Sequence, residues 1–227
     1  GYTLVALADG RNLSFKELVE EDKHGKQNFC YTMSADGHTD LAPIKKPRIT
    51  KHNAEVIKIT LDNNEELICT PDHLFMLRDG SYGQAQSLTK DDSLMAFYRK
   101  VSKIGGKITI DGYEMVWNQA KQWIFTHMLA DMYNLKQGIY AKDSGTMRHH
   151  IDFNKLNNNP TNITRLSKEQ HLAIHRENTS KTIHRKVVKE KLAQLRKTNE
   201  FREKAKVKSL EKQRQLCQLL AQWEQSD

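Results

Sequence analysis

The sequence predicts an α+β chain of more than one domain: an all-β region, then a short β-hairpin joined to a helix, then a helical arm. Three observations carry this. Short alternating runs between Tyr2 and Arg99 end at Asp/Asn/Gly turn pairs. A histidine- and asparagine-rich stretch at 147–178 links an extended segment to a helix-like one. After Pro160 no glycine or proline interrupts the chain, which favours long helices over loops. The expected boundaries are 1–99, 100–178 and 179–227.

In order, Tyr2–Ala8 reads as a strand closed by Asp9-Gly10, and Ser14–Glu21 as a helix. Ser14 can cap that helix, with Glu17 at capping-box spacing. Glu55–Leu61 alternates at period two up to Asp62-Asn63-Asn64. Glu66–Thr70 and Leu74–Leu77 follow, the latter closed by Asp79-Gly80. Strands of this length and spacing indicate a compact all-β region rather than βαβ units. From Val101 the texture changes. Lys107–Ile110 and Tyr113–Trp117 flank Asp111-Gly112 as a short hairpin. Asn118–Tyr133 then places Ala120, Trp123, Ile124, His127, Met128, Ala130 and Met132 at helical spacing. In the arm, Val188, Leu192 and Leu195 form one apolar stripe, and Leu216, Leu219, Leu220 and Trp223 another.

Charge is unevenly placed. The chain of 227 residues carries 36 Lys+Arg against 28 Asp+Glu. Residues 181–227 hold 13 of the basic and 6 of the acidic groups, so nearly all the net charge of +8 sits in the arm. A near-neutral body with a basic arm points to a polyanion such as nucleic acid; a solvated helical face is the plain alternative. Three widely separated cysteines (Cys30, Cys69, Cys217) make no disulfide framework, which fits a reducing, cytoplasmic setting. No run approaches the roughly 18 apolar residues a membrane span needs, and no secretory leader opens the chain.

The stretch Arg148-His149-His150-Ile151-Asp152, the Asn/Pro loop to Asn162, and Glu169-Gln170-His171 with His175 carries the chemistry. His171 and His175 are i and i+4, so on a helix they share one face and can grip one cation. His149 and His150, adjacent on a strand, point to opposite faces, so one can bind metal while the other faces a water or substrate. Arg148, Lys155 and Arg165 stand where they could touch flanking phosphates. A structural zinc site is the competing interpretation.

This pattern resembles the HNH nuclease family, the ββα-metal fold, including its histidine-rich colicin-type members. The resemblance implies that His150 is the general base, His149 the metal ligand before it, and Asn162 the asparagine that braces the loop and helps fix the base. It makes His171 the closing ligand and His175 a further one. Many members carry Asp where His149 stands, so the resemblance leaves the single divalent ion open: Mg or Mn, or Zn or Ni, which imidazoles suit as readily. It further implies hydrolysis of DNA to a 5′-phosphate product.

Ile68-Cys69-Thr70-Pro71-Asp72-His73-Leu74-Phe75, Gly83–Leu88 and Asp92–Met95 resemble the second splicing block of inteins, in the Hint fold shared with hedgehog autoprocessing domains. Tyr2–Gly10 looks like the first block without its start. Thr70 and His73 match the pair that assists the N-terminal peptide shift in that family. The family's Cys or Ser nucleophile is expected a few positions before Tyr2, where the sequence starts with Gly1, and Gln225-Ser226-Asp227 stands where a His-Asn close is expected. Splicing is therefore not expected of the chain as it stands. Together the resemblances imply an intein-associated homing endonuclease of prokaryotic or phage origin. Its expected partners are double-stranded DNA at an insertion site, a complementary C-terminal intein fragment, and a second copy of the chain, with no membrane. The alternatives are a protein-splicing fragment with an inactive or structural histidine site, and a zinc-stabilised module that only binds nucleic acid.

Overall fold

A computed structural model describes residues 3–34, 37–118, 122–182 and 185–224, with backbone alone from 216. The chain separates into two units, Gly1–Lys168 and Glu169–Asp227.

In the first unit, β1 (Leu4–Ala6) pairs antiparallel with β2 (Asn12–Ser14). Ser14 then caps α1 (Phe15–Lys23) as expected: its hydroxyl accepts from Glu17 N at 3.3 Å, and the Glu17 carboxylate accepts from Ser14 N at 2.8 Å. Next come three antiparallel hairpins: β3 (Phe29–Met33) with β4 (Thr39–Pro43), β5 (Ile57–Thr60) with β6 (Glu66–Cys69), and β7 (Leu74–Met76) with β8 (Tyr82–Gln84). A three-stranded sheet is ordered β11-β10-β9 from β9 (Arg99–Val101), β10 (Glu114–Asn118) and β11 (Gln122–Phe125). It leads into α2 (Thr126–Lys136), and β12 (Met147–His150) and β13 (Ile163–Leu166) close the unit as a hairpin.

Two expectations change here. Lys107–Ile110 forms no strand beyond an isolated Gly105–Ile108 bridge, and β10 pairs instead with β9. The helix expected from Asn118 starts only at Thr126. Residues 122–125 are a strand, because Trp123, Ile124 and Phe125 are β-formers and β10 offers them a ladder. Tyr2 and Ala120 lie outside the described residues.

The expected division near residue 99 is crossed by the main core. Ala8, Phe29 and Leu41 pack with Val116, Leu129, Ala130 and Ile163, and the Phe29 and Tyr133 rings meet edge-on at 5.2 Å. The segment 3–43 thus shares its hydrophobic burial with the hairpin–helix region. Between residues 44 and 98, Ala85 alone among the described residues is buried, and Ile68, Leu74 and Tyr82 are exposed.

The second unit is helical. It comprises α3 (Lys168–Thr182) beyond its first residue, α4 (Lys186–Arg196) and α5 (Asn199–Glu224). The arm's first stripe is half-buried at Val188 and Leu192 and exposed at Leu195. The side chains of the second stripe, Leu216, Leu219, Leu220 and Trp223, lie outside the described residues, as does that of Cys217. No helix among the described residues is long and apolar enough to cross a membrane.

Candidate active site

The β12–β13 ladder sets Met147 opposite Leu166, Arg148 opposite Arg165, His149 opposite Thr164 and His150 opposite Ile163. Gly145 lets the chain enter this hairpin, since a Cβ there would collide with the Leu166 backbone. Alternation then sends the two histidines to opposite faces. The His149 ring meets Phe153 edge-on at 5.0 Å, while His150 faces the Tyr113 and His127 rings at 5.9 and 5.7 Å. Both histidines are buried, His150 with 7% exposure. His150 lies outside the hydrophobic cluster, in a pocket of aromatic edges and amides.

Between the strands, residues 151–162 form a loop tied by its own asparagines. Asn162 accepts from Asp152 N at 3.0 Å and donates to Asp152 Oδ1 and Asn157 O, both at 2.8 Å. These bonds tie the loop to itself, and none of them reaches the His150 ring. The partner of the His150 ring is a different asparagine, Asn158, whose Oδ1 lies 3.1 Å from His150 Nε2. Asn158 Nδ2 donates to Leu156 O at 3.2 Å and to Glu114 Oε2 at 3.5 Å. With the amide nitrogen so engaged, Oδ1 is the acceptor and His150 Nε2 carries the proton, leaving Nδ1 with the lone pair. Burial lowers the His150 pKa below the usual histidine value, against opposing pulls from Asn158 and Asp152. The ring is therefore neutral near pH 7, the form a base requires.

Arg165 is not presented to a phosphate. It is buried, and its fork donates to Asp131 Oδ1 and Oδ2, both at 2.7 Å. Arg148 Nε also donates to Asp131, at 3.0 Å, and the Tyr140 hydroxyl does so at 2.9 Å. Burial pushes the Asp131 carboxyl up, but these donors outweigh it and hold the group below the ordinary aspartate range. The expected phosphate role of Arg165 is thus replaced by a structural one, and that of Arg148 is reduced, because a buried carboxylate has claimed them. Lys155 is exposed, donates to Asp111 O at 2.9 Å, and remains open to a phosphate.

In the second unit, His171 and His175 lie on one face of α3 with their Nε2 atoms 3.2 Å apart. Two imidazole nitrogens at about 2.0–2.1 Å from a shared tetrahedral ion stand roughly 3.3 Å apart, so this pair fits two ligands of one cation. Burial, then the neighbouring His175, lowers the His171 pKa and favours the neutral, ligating form.

Thr70 and His73, the matches to the splicing pair, lie in the first unit. They span the turn between β6 and β7, where His73 N donates to Thr70 O at 3.0 Å and the His73 ring rests edge-on to Phe75. Thr70 also lines a cleft of about 260 Å³ with Lys51, Ala54, Asp72 and Gln86. Cys30 and Cys69 are half-buried, and burial pushes both thiols up, away from nucleophilic reactivity.

Four residues at the site escape sequence reasoning: Asn158, Glu114, His127 and Asp131. Asn158 is one of three consecutive asparagines, and His127 reads as one more residue of a helical stripe. Glu114 and Asp131 are single acids in hydrophobic runs, a faint signal of buried function or pairing.

No family model matches the chain. It is similar to the B subunit of DNA gyrase from Synechocystis sp. (strain ATCC 27184 / PCC 6803 / Kazusa), 56% identical over 229 residues. That match takes in 99% of this chain, which spans about a fifth of the relative's length, 21%.

Proposed function

We propose that the chain is a metal-dependent DNA endonuclease of HNH type, carried with a Hint-like splicing region as part of an intein. The observation that carries this reading is the His150 ring, held through Nε2 by Asn158 so that Nδ1 keeps a lone pair. His149, His171 and His175 are the ligands the reading assigns. A divalent ion held by them would neutralise charge on the scissile phosphate and the departing 3′-oxygen. His150 takes the proton from the attacking water, and Asn162 keeps the loop that follows His150 in shape. Lys155, and Arg148 as far as its bonds to Asp131 and Thr146 O allow, receive neighbouring phosphates. The relative is named for DNA, and a chain matched almost entirely within a fifth of a much longer protein is in keeping with an inserted segment.

The low exposure of His150 favours a second reading, a splicing fragment whose histidines have a structural role. A nicking assay separates the two: supercoiled plasmid carrying the uninterrupted host sequence, with Mg, Mn, Ni or Zn. The nuclease reading expects nicking that a chelator stops and that His150→Ala abolishes while bound metal is retained. Cleavage by His150→Ala removes that residue from its role, and an inert wild-type protein with every ion leaves the second reading standing.

A further inference from the structure

We propose that Glu114 and Tyr31, acting through Asn158, are positioning residues that hold His150 in a single tautomer with Nδ1 presented as the base. This rests on the reading of His150 as general base and extends it to residues outside the β12–β13 hairpin.

Asn158 is fully buried. Its Nδ2 faces two acceptors, Leu156 O and Glu114 Oε2. Rotating the amide by half a turn would set Oδ1 against both, an arrangement with no donor between the oxygens. Glu114 thereby helps fix the amide, and the amide fixes which His150 nitrogen carries hydrogen. Glu114 is in turn held. The Tyr31 hydroxyl donates to Oε2 at 2.5 Å, and Arg99 Nη1 donates to Oε1 at 3.3 Å, with Glu114 itself only 8% exposed. Burial first, and then the Glu114 charge, push ionisation of the Tyr31 phenol far above the ordinary range, so it stays a donor.

Tyr31 belongs to β3, in the segment whose sequence reads as a splicing module. The same segment pins the loop twice more: Asn158 N donates to Ala8 O at 2.9 Å, and Asn159 Nδ2 to Gln27 O at 3.3 Å. The N-terminal segment therefore acts on the base as well as on the core.

The test uses the full chain with its metal and compares Tyr31→Phe, Glu114→Gln and Glu114→Ala with His150→Ala. Plasmid nicking gives kcat and KM, and long-range 15N–1H spectra of the His150 ring give its tautomer. The expected result is a fall in kcat of about 10–100-fold in Glu114→Ala with KM for DNA unchanged. The ring should then populate both tautomers. Glu114→Gln, which still offers an oxygen to Asn158, should recover most of the rate, and Tyr31→Phe should cost about threefold to tenfold. The proposal is overturned if Glu114→Ala and Tyr31→Phe keep the Nε2–H tautomer and the wild-type kcat while His150→Ala is inactive. It is equally overturned if Glu114→Gln is as impaired as Glu114→Ala, which would mark a purely structural acid. Cleavage by His150→Ala would instead sink the underlying assignment of the base.

Discussion

His127 pairs a half-buried ring with one buried, unpartnered atom. Its Nδ1 is buried without a hydrogen-bond partner among the described residues, and its ring stacks on Phe125 at 5.4 Å. Burial first, then His150 and Arg148, lower its pKa to about 4 from the ordinary 6.5. The unfolded chain therefore takes up a proton between about pH 6.5 and 4 that the folded chain refuses. Stability is present in full above 6.5 and falls as pH drops through that window, by up to about 3 kcal/mol. His127→Phe keeps an aromatic ring and removes the titration. Urea melts should show the wild-type midpoint sliding from pH 6.5 to 4 and the variant's sliding markedly less; parallel curves would refute the assignment.

At the scale of elements, Asp131 is the point where α2 meets the β12–β13 hairpin. One carboxylate from the helix takes Arg148 from one strand and Arg165 from the other, with Tyr140 completing the set. Asn134, one turn along α2, donates to Pro160 O at 2.8 Å and Ile163 O at 3.2 Å. The hairpin that carries His149 and His150 is thus oriented by polar bonds to a single helix face. Asp131→Asn leaves Arg165 buried with its charge unbalanced, and such breaks cost about 3–5 kcal/mol. Thermal or chemical unfolding should register a loss of this size. Since the Asp131 pKa is depressed, its contribution holds above the ordinary aspartate value and is lost as pH falls through the folded one, so the variant's deficit should shrink in acid.

Across the whole molecule the charge is segregated. The arm of α4 and α5 is exposed along nearly all its described side chains and carries most of the net positive charge. Its internal ion pairs, such as Lys204–Glu200 at 2.6 Å, are exposed and contribute little to stability. Under the nuclease reading, the remaining lysines and arginines neutralise phosphates and release counterions, so affinity falls steeply with salt. Deleting 181–227 should flatten the slope of log affinity against log salt, measured by fluorescence anisotropy on duplex DNA. An unchanged slope would assign the arm to docking or pairing through its apolar stripes instead.

Features set by neighbours a few residues apart could be read in advance. The capping box of Ser14 and Glu17, the shared face of His171 and His175 and the opposed faces of His149 and His150 all follow from periodicity or short spacing, whereas the role of Asn162 comes from the family resemblance alone. Backbone geometry alone brings those atoms close. The Asn158–Glu114–Tyr31 chain, the Asp131 network and the core joining residues 8–41 to 116–163 were hidden, because each links groups separated by tens of residues. Competition for partners settled the rest: 122–125 became a strand because β10 was free to pair with it, and Arg165 turned inward because Asp131 was already buried there. Local spacing grouped the histidines; long-range packing chose which side chains of the first unit are held, and by which partners, because those contacts join segments far apart in the chain.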